Sequence, residues 1–200
     1  MQSKALRNLI VLCVCAAFAT ACASAPEDNG AALKQTFDKG LKYYDDGQYG
    51  DAYKTWKSID ELDLAAMRNV AIMLREGKGV TKDPKAAEAM MQRAAEAGLF
   101  TAQADLGDML LRGEAGPPDP SAAAPWLMLA AQAGHPMAQY ELGQLYEQGI
   151  AVKKDLEIAR KLYKAALAGG ITDAAARLKA LPPQPLPMEP PPLRLNGNGS

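Results

Sequence analysis

The sequence predicts an all-α fold, a stack of helix-turn-helix units, and two observations carry that reading. One stretch repeats every 36 residues without a gap. Ala66, Ala102, Ala138 and Ala174 share a column, as do Val70, Leu106, Leu142 and Leu178; Gly77, Gly113 and Gly149; and Asp83, Asp119 and Asp155. Four columns held in phase mark a module copied in tandem, one that buries its apolar face only against its neighbours. The second observation is that each copy carries helix start and stop signals at fixed places.

The elements follow from those signals. In the third copy Ala138, Leu142, Leu145 and Tyr146 recur at helical spacing, and Gly149 follows where positive φ ends a helix at least cost. After a loop, Asp83, Asp119 and Asp155 stand where an N-cap carboxylate accepts from orphan N–H groups. Pro84 and Pro120 come next, where a missing N–H costs nothing. The second helix carries small and large apolar residues in step: Ala87, Met90, Met91 and Ala94; Ala123, Trp126, Leu127 and Ala130; Ala159, Leu162, Tyr163 and Ala166. It ends at Gly98, Gly134 and Gly169-Gly170. Alanines let helices approach, and the larger residues, Trp126 among them, are expected to fill the gap. Pro125, six positions into its helix, removes an N–H and crowds the preceding turn, an effect of about 3 kcal/mol in a helix interior. That helix is expected to kink or to begin late.

These residues resemble the Sel-one-like repeat, a relative of the tetratricopeptide repeat. The family pattern is met by Ala138, Leu142, Gly143, Tyr146, Gly149, Val152, Asp155, Ala159, Ala165 and Ala166. Gly77-Lys78-Gly79-Val80 and Ala94-Ala95-Glu96-Ala97-Gly98 match it in the first copy, and Leu106-Gly107 and Ala130-Ala131-Gln132-Ala133-Gly134 in the second. Upstream, Gly40, Tyr43, Gly47, Tyr49, Ala52 and Trp56 resemble a plain tetratricopeptide hairpin. Ala71 and Lys179 replace the family's small glycine, and Gly116-Pro117-Pro118 replaces its usual loop. The resemblance implies a right-handed α/α superhelical solenoid of about four helix-turn-helix repeats plus a C-terminal capping helix. It would be arranged as a tetratricopeptide-like hairpin over 31–63 and three Sel-one-like repeats with the capping helix over 64–181.

The chain ends have a different character. Lys4 and Arg7 precede an apolar run from Leu9 to Ala21, too short to span a bilayer but suited to a secretory signal over 1–21. Ala19-Thr20-Ala21-Cys22 resembles a bacterial lipobox, although Ala19 stands where the family prefers Leu, and the same residues also satisfy an A-x-A cleavage site. The expectation is lipidation at Cys22, a tether over 22–30, and an outer-membrane lipoprotein facing the periplasm, or a soluble periplasmic protein if Cys22 is not acylated. At the other end seven prolines between Pro182 and Pro192 enforce extended chain in a tail over 182–200.

Composition narrows the function. Lys and Arg number 22 against 23 Asp and Glu, and losing Lys4 and Arg7 leaves 20 against 23, a net charge of −3. No basic face suited to nucleic acid is expected. Cys13, Cys15 and Cys22 all lie in the signal region, so no disulfide staples the repeats, which separates the chain from disulfide-paired secreted members of the family. His135 is the only histidine and stands in a turn, so a metal site is not expected. No nucleophile, zinc-protease or phosphate-loop motif occurs. The chain reads as a non-enzyme without cofactors.

What remains is recognition of a protein or peptide. Carrying the tetratricopeptide register onto the chain, the resemblance implies a concave groove lined by Phe37, Leu41 and Tyr44; Arg68, Ile72, Arg75 and Glu76; Asp108, Leu111 and Arg112; and Tyr140, Gln144 and Glu147. Phe37, Tyr44 and Tyr140 are the expected anchors. Two other classes stay open: a polysaccharide- or peptidoglycan-associated structural or export component, and a hydrolase of cell-wall or β-lactam substrates. The second lacks its motifs.

Overall fold

The computed structural model describes residues 29–183. The signal, Cys22 and the tail beyond Pro183 lie outside them. The described residues form nine helices and no strand: α1 Asn29–Asp45, α2 Tyr49–Lys57, α3 Leu64–Glu76, α4 Pro84–Glu96, α5 Phe100–Arg112, α6 Pro120–Gln132, α7 Pro136–Gln148, α8 Leu156–Ala168 and α9 Asp173–Ala180. α1 thus begins inside the segment expected to be tether. The chain divides into two compact units, one ending at Asp83 and one beginning at Pro84.

In the first unit α1 and α2 form an antiparallel hairpin turned by Gly47 at φ 75°. The hairpin closes tightly because Gly40 leaves room for a large ring: a Cβ on Gly40 would lie 2.3 Å from the indole nitrogen of Trp56. That indole N–H donates to the Phe37 carbonyl at 3.2 Å, so a buried polar group is satisfied at the contact. α3 starts at Asp63, whose carboxylate accepts from the Ala66 N–H, and stops at Gly77 in the left-handed region.

In the second unit the helices pack in chain order, α4 on α5 through α8 on α9, and the first helices α5 and α7 also touch. The Asp caps at α6 and α8 form as expected: Asp119 accepts from Ala122, and Asp155 from Glu157 and Ile158. Within each hairpin a first-helix glycine faces a large second-helix residue. A Cβ on Gly107 would lie 2.5 Å from Leu127, and one on Gly143 would lie 2.7 Å from Tyr163. Leu127 and Tyr163 stand one repeat apart, and both are fully buried. Gln103 and Gln139, also one repeat apart, donate to the Ala95 and Ala131 carbonyls at 3.1 and 3.2 Å, satisfying last-turn acceptors of the preceding helix.

One expectation is corrected and another narrowed. Trp126 is only half-buried, and the position that enters the core is its neighbour Leu127, among Ala123, Ala124, Ala130, Ala138, Leu142 and Leu145. The helix carrying Pro125 does not begin late: α6 is continuous from Pro120, its N-cap formed. Pro125 and Ser121 are both exposed, so water can satisfy the carbonyl that lost its donor. At the C-terminal end α9 acts as the expected cap. Ala174 and Leu181 join Ala159, Tyr163 and Ala166 in a buried cluster against which Leu178 packs, and Arg160 donates to the Pro182 carbonyl.

Candidate partner-binding surface

The first helices of successive hairpins leave a cleft in each unit. In the first unit it measures about 280 Å³ and is lined by Leu41, Tyr44 and Asp45 of α1, Asn69, Ile72 and Met73 of α3, and Trp56 of α2. Three of the expected groove residues, Leu41, Tyr44 and Ile72, therefore meet. Phe37 does not join them. It packs against Trp56, with ring centroids 6.0 Å apart, and borders another hollow with Leu33, Lys34, Asp63 and Ala65. Arg68 and Arg75 are half-buried on α3, and Glu76 is exposed at its end.

Tyr44 is less open to a partner than the sequence suggests. Its ring meets Tyr49 edge-on at 5.1 Å and Trp56 at 5.7 Å. Its hydroxyl accepts from the Lys78 ammonium at 2.7 Å, and that ammonium lies 4.3 Å from the Tyr44 ring and 4.4 Å from the Tyr49 ring. The Tyr44 hydrogen bond, against a smaller opposing effect of burial, holds the Lys78 pKa above its ordinary value. Lys78 reaches this place from the turn after α3 because Gly79, at φ 74°, lets the loop lie on the backbone of Tyr49; a Cβ there would be 2.4 Å from the Tyr49 carbonyl carbon. The Gly-Lys-Gly run was visible in the sequence, but its partner, 34 residues upstream, was not.

In the second unit the cleft between α5 and α7 measures about 220 Å³. The expected residues Asp108 and Arg112 line it, joined by Ala104, Asp105, His135, Met137 and Glu141, which sequence reasoning missed. Asp108 accepts from the Arg112 guanidinium one turn on. Glu141 is 7% exposed. The lone histidine caps α7: the His135 Nδ1 accepts from the Ala138 N–H at 3.3 Å, and its ring meets Phe100 edge-on at 6.2 Å. Leu111 is half-buried.

The remaining candidates serve a different contact. Tyr140 packs on Tyr163, centroids 5.7 Å apart, and bonds to Arg177, which raises the guanidinium pKa. Glu147 accepts from the Tyr163 hydroxyl and lies 3.8 Å from Arg177. Burial, and then the Glu147 hydrogen bond, push the Tyr163 phenol well above its ordinary range. This network ties α7, α8 and α9 together, with Gln144 half-buried beside it on α7.

No described helix is long and apolar enough to cross a membrane, and among the described residues no group of three His, Cys, Asp or Glu side chains converges as metal ligands.

Comparison with known proteins places these observations. The profile of the Sel1 repeat matches residues 64–99, 101–135 and 136–171. No curated protein matches the chain. Among solved structures, a Sel1 repeat protein from Oxalobacter formigenes is 33% identical with a TM-score of 0.67, over 71% of this chain and 58% of that one. A protective antigen present in uropathogenic Escherichia coli strains, displaying an SLR fold, is 28% identical with a TM-score of 0.68, over 74% of this chain and 33% of that one. Cysteine rich protein B of Helicobacter pylori, at 20% identity and TM-score 0.51, shares the fold. The chain thus spans less than two thirds of the first two proteins. Sel1 repeat proteins generally act as protein-interaction scaffolds, and their fold is typically non-enzymatic. Three consecutive matches, an all-helical architecture and glycine-relieved hairpins repeated in phase lead to one conclusion: the chain belongs to the Sel1 repeat family.

Proposed function

We propose that this chain is a non-enzymatic interaction module of the bacterial cell envelope, receiving a protein or peptide partner in the clefts between its first helices. The observation that carries this reading is the cleft of the first unit, where Leu41, Tyr44 and Ile72 gather around a hollow with Leu41 still 39% exposed. An exposed aliphatic beside a concave apolar wall is the kind of feature that becomes a desolvated anchor in an interface. The envelope location is supported by the signal-like run Leu9 to Ala21 and by the lipobox-like Ala19-Thr20-Ala21-Cys22.

Capture from cell-envelope extracts by the tagged chain, followed by identification of what binds, tests the reading. Leu41→Asp is expected to reduce capture at least about tenfold, because an interface must then desolvate a charge, while the thermal midpoint stays nearly unchanged at this exposed site. Capture unaffected by Leu41→Asp, or turnover of a cell-wall substrate by the chain, would overturn it.

A further inference from the structure

Resting on the envelope reading, and on the lipobox-like Ala19-Thr20-Ala21-Cys22 within it, we infer that the apolar patch beside the first turns of α1 rests on the bilayer that holds Cys22, with Leu62 sunk into the interfacial layer. Leu62 is 73% exposed, the most exposed large apolar side chain among the described residues. Its backbone is pinned: the Leu62 and Asp63 N–H groups both donate to the Ile59 carbonyl at 2.9 Å, and Ile59 is buried. The turn between α2 and α3 therefore presents this leucine to solvent at a fixed place. Two hollows meet beside it. One of about 410 Å³ is lined by Asn29, Ala32, Leu33, Ile59 and Leu62, and one of about 350 Å³ by Leu33, Phe37 and Ala65, so that Leu33 borders both. The charges around them are already matched, Lys34 with Asp38 and Lys57 with Asp60, each pair at 2.6 Å, while Asp63 caps α3. What the patch offers is apolar contact. Chain length selects the occupant. Asn29, which lines the larger hollow, stands seven residues beyond Cys22, a span of at most about 25 Å when fully extended. Acylation of Cys22 holds the start of α1 within that distance of lipid, and so short a tether gives an effective concentration at which even a weak contact is populated. Apolar side chains at a bilayer surface settle about 5–10 Å into the boundary between headgroups and acyl chains, which a projecting leucine backed by Ala32 and Leu33 can reach.

The test uses the acylated protein drawn from bacterial membranes, labelled with nitrogen-15 and reconstituted in phosphatidylcholine bicelles that carry a nitroxide-labelled lipid. The amides of Ala32, Leu33 and Leu62 are expected to broaden, and that of Tyr44, twelve residues and about 18 Å along α1 from Ala32, to stay sharp. Leu62→Asp is expected to lower the ratio of docked to undocked protein at least about tenfold, because the apolar side chain that enters the lipid is replaced by a charge. Its thermal midpoint stays nearly unchanged at so exposed a site. The variant remains in the bicelle through its acyl chains, so the lost broadening separates docking from tethering. Docking is expected to be insensitive to ionic strength, as an apolar contact is. Equal broadening at Ala32 and Tyr44, broadening that survives Leu62→Asp, or release by salt overturns the inference. So do patch amides of the lipid-free Cys22→Ser chain that shift as its concentration rises while its sedimenting mass doubles, since a second copy would then be the occupant. The contrast along α1 is read on the unmutated protein and stands even if a variant folds poorly. Mass spectrometry that finds Cys22 unacylated overturns the inference together with its anchor. Partner capture and its loss with Leu41→Asp are scored separately, so failure at the bilayer leaves the interaction reading standing, and failure of capture leaves the bilayer contact standing.

Discussion

Adjacent side chains in α6 have opposite fates. Leu127 is wholly buried against Gly107, while Trp126, one residue away and about 100° around the helix, is half-buried. Leu127→Ala is therefore expected to cost about 2–5 kcal/mol, and Trp126→Ala distinctly less, as read from chemical denaturation of the two variants. Equal costs would mean that the rotation of α6 assigned here is wrong. A second residue sits under strain. Ala151, at φ 59°, is the only described non-glycine residue with positive φ, and the first copy has Gly79 two repeats earlier, at φ 74°. Left-handed backbone costs an L-residue about 1–2 kcal/mol, part of which glycine returns as extra freedom in the unfolded chain. Ala151→Gly is expected to raise stability by about 0.5–1 kcal/mol, seen as a higher thermal midpoint. A lower midpoint would show that the loop does not hold this conformation.

At the scale of elements, helix boundaries were set locally and helix contacts were not. Asp119 and Asp155 cap the helices they precede, and Gly77, Gly113 and Gly149 end theirs in the left-handed region. The attachment of α9, by contrast, depends on the Tyr163, Glu147 and Arg177 network, whose members come from three helices. The Tyr163 phenol is raised above its ordinary 10.0, chiefly by burial. The folded chain thus keeps a proton that the unfolded chain gives up above that pH, so this contribution is whole below about pH 10 and is lost as pH rises further. Melts of the native chain from pH 9 upward are expected to fall more steeply than those of Tyr163→Phe, which has no phenol to ionise. Parallel slopes would mean that Tyr163 is wetter than its position indicates.

For the whole molecule, the proposed envelope role makes attachment the first question. If Cys22 is acylated, Cys22→Ser moves the protein from the membrane fraction to the soluble periplasm, because several acyl chains hold stably where one holds only marginally. Identical fractionation of both forms would refute the anchor. Cys22 and the tail lie outside the described residues, so this prediction rests on the sequence alone. Its outcome is independent of the clefts, whose chemistry differs between the two units: Leu41, Ile72 and Met73 in one, Asp105, Asp108 and Glu141 in the other.

The sequence by itself determined the period, the all-helical class, the family and most helix ends. These are written in local spacing: a cap acts on N–H groups two or three residues on, and a glycine stop acts on the turn just before it. Tertiary structure decided which face each helix turns inward and which distant groups meet. It took Leu127 and not Trp126 into the core, set Lys78 on Tyr44 and Tyr49, drew Tyr140 and Glu147 into the attachment of α9, and gathered Asp105, His135, Met137 and Glu141 into a cleft. Each choice turns on helix rotation, where one residue moves a side chain by about 100°, and on contacts between elements one or more turns of chain apart, which residue spacing does not encode.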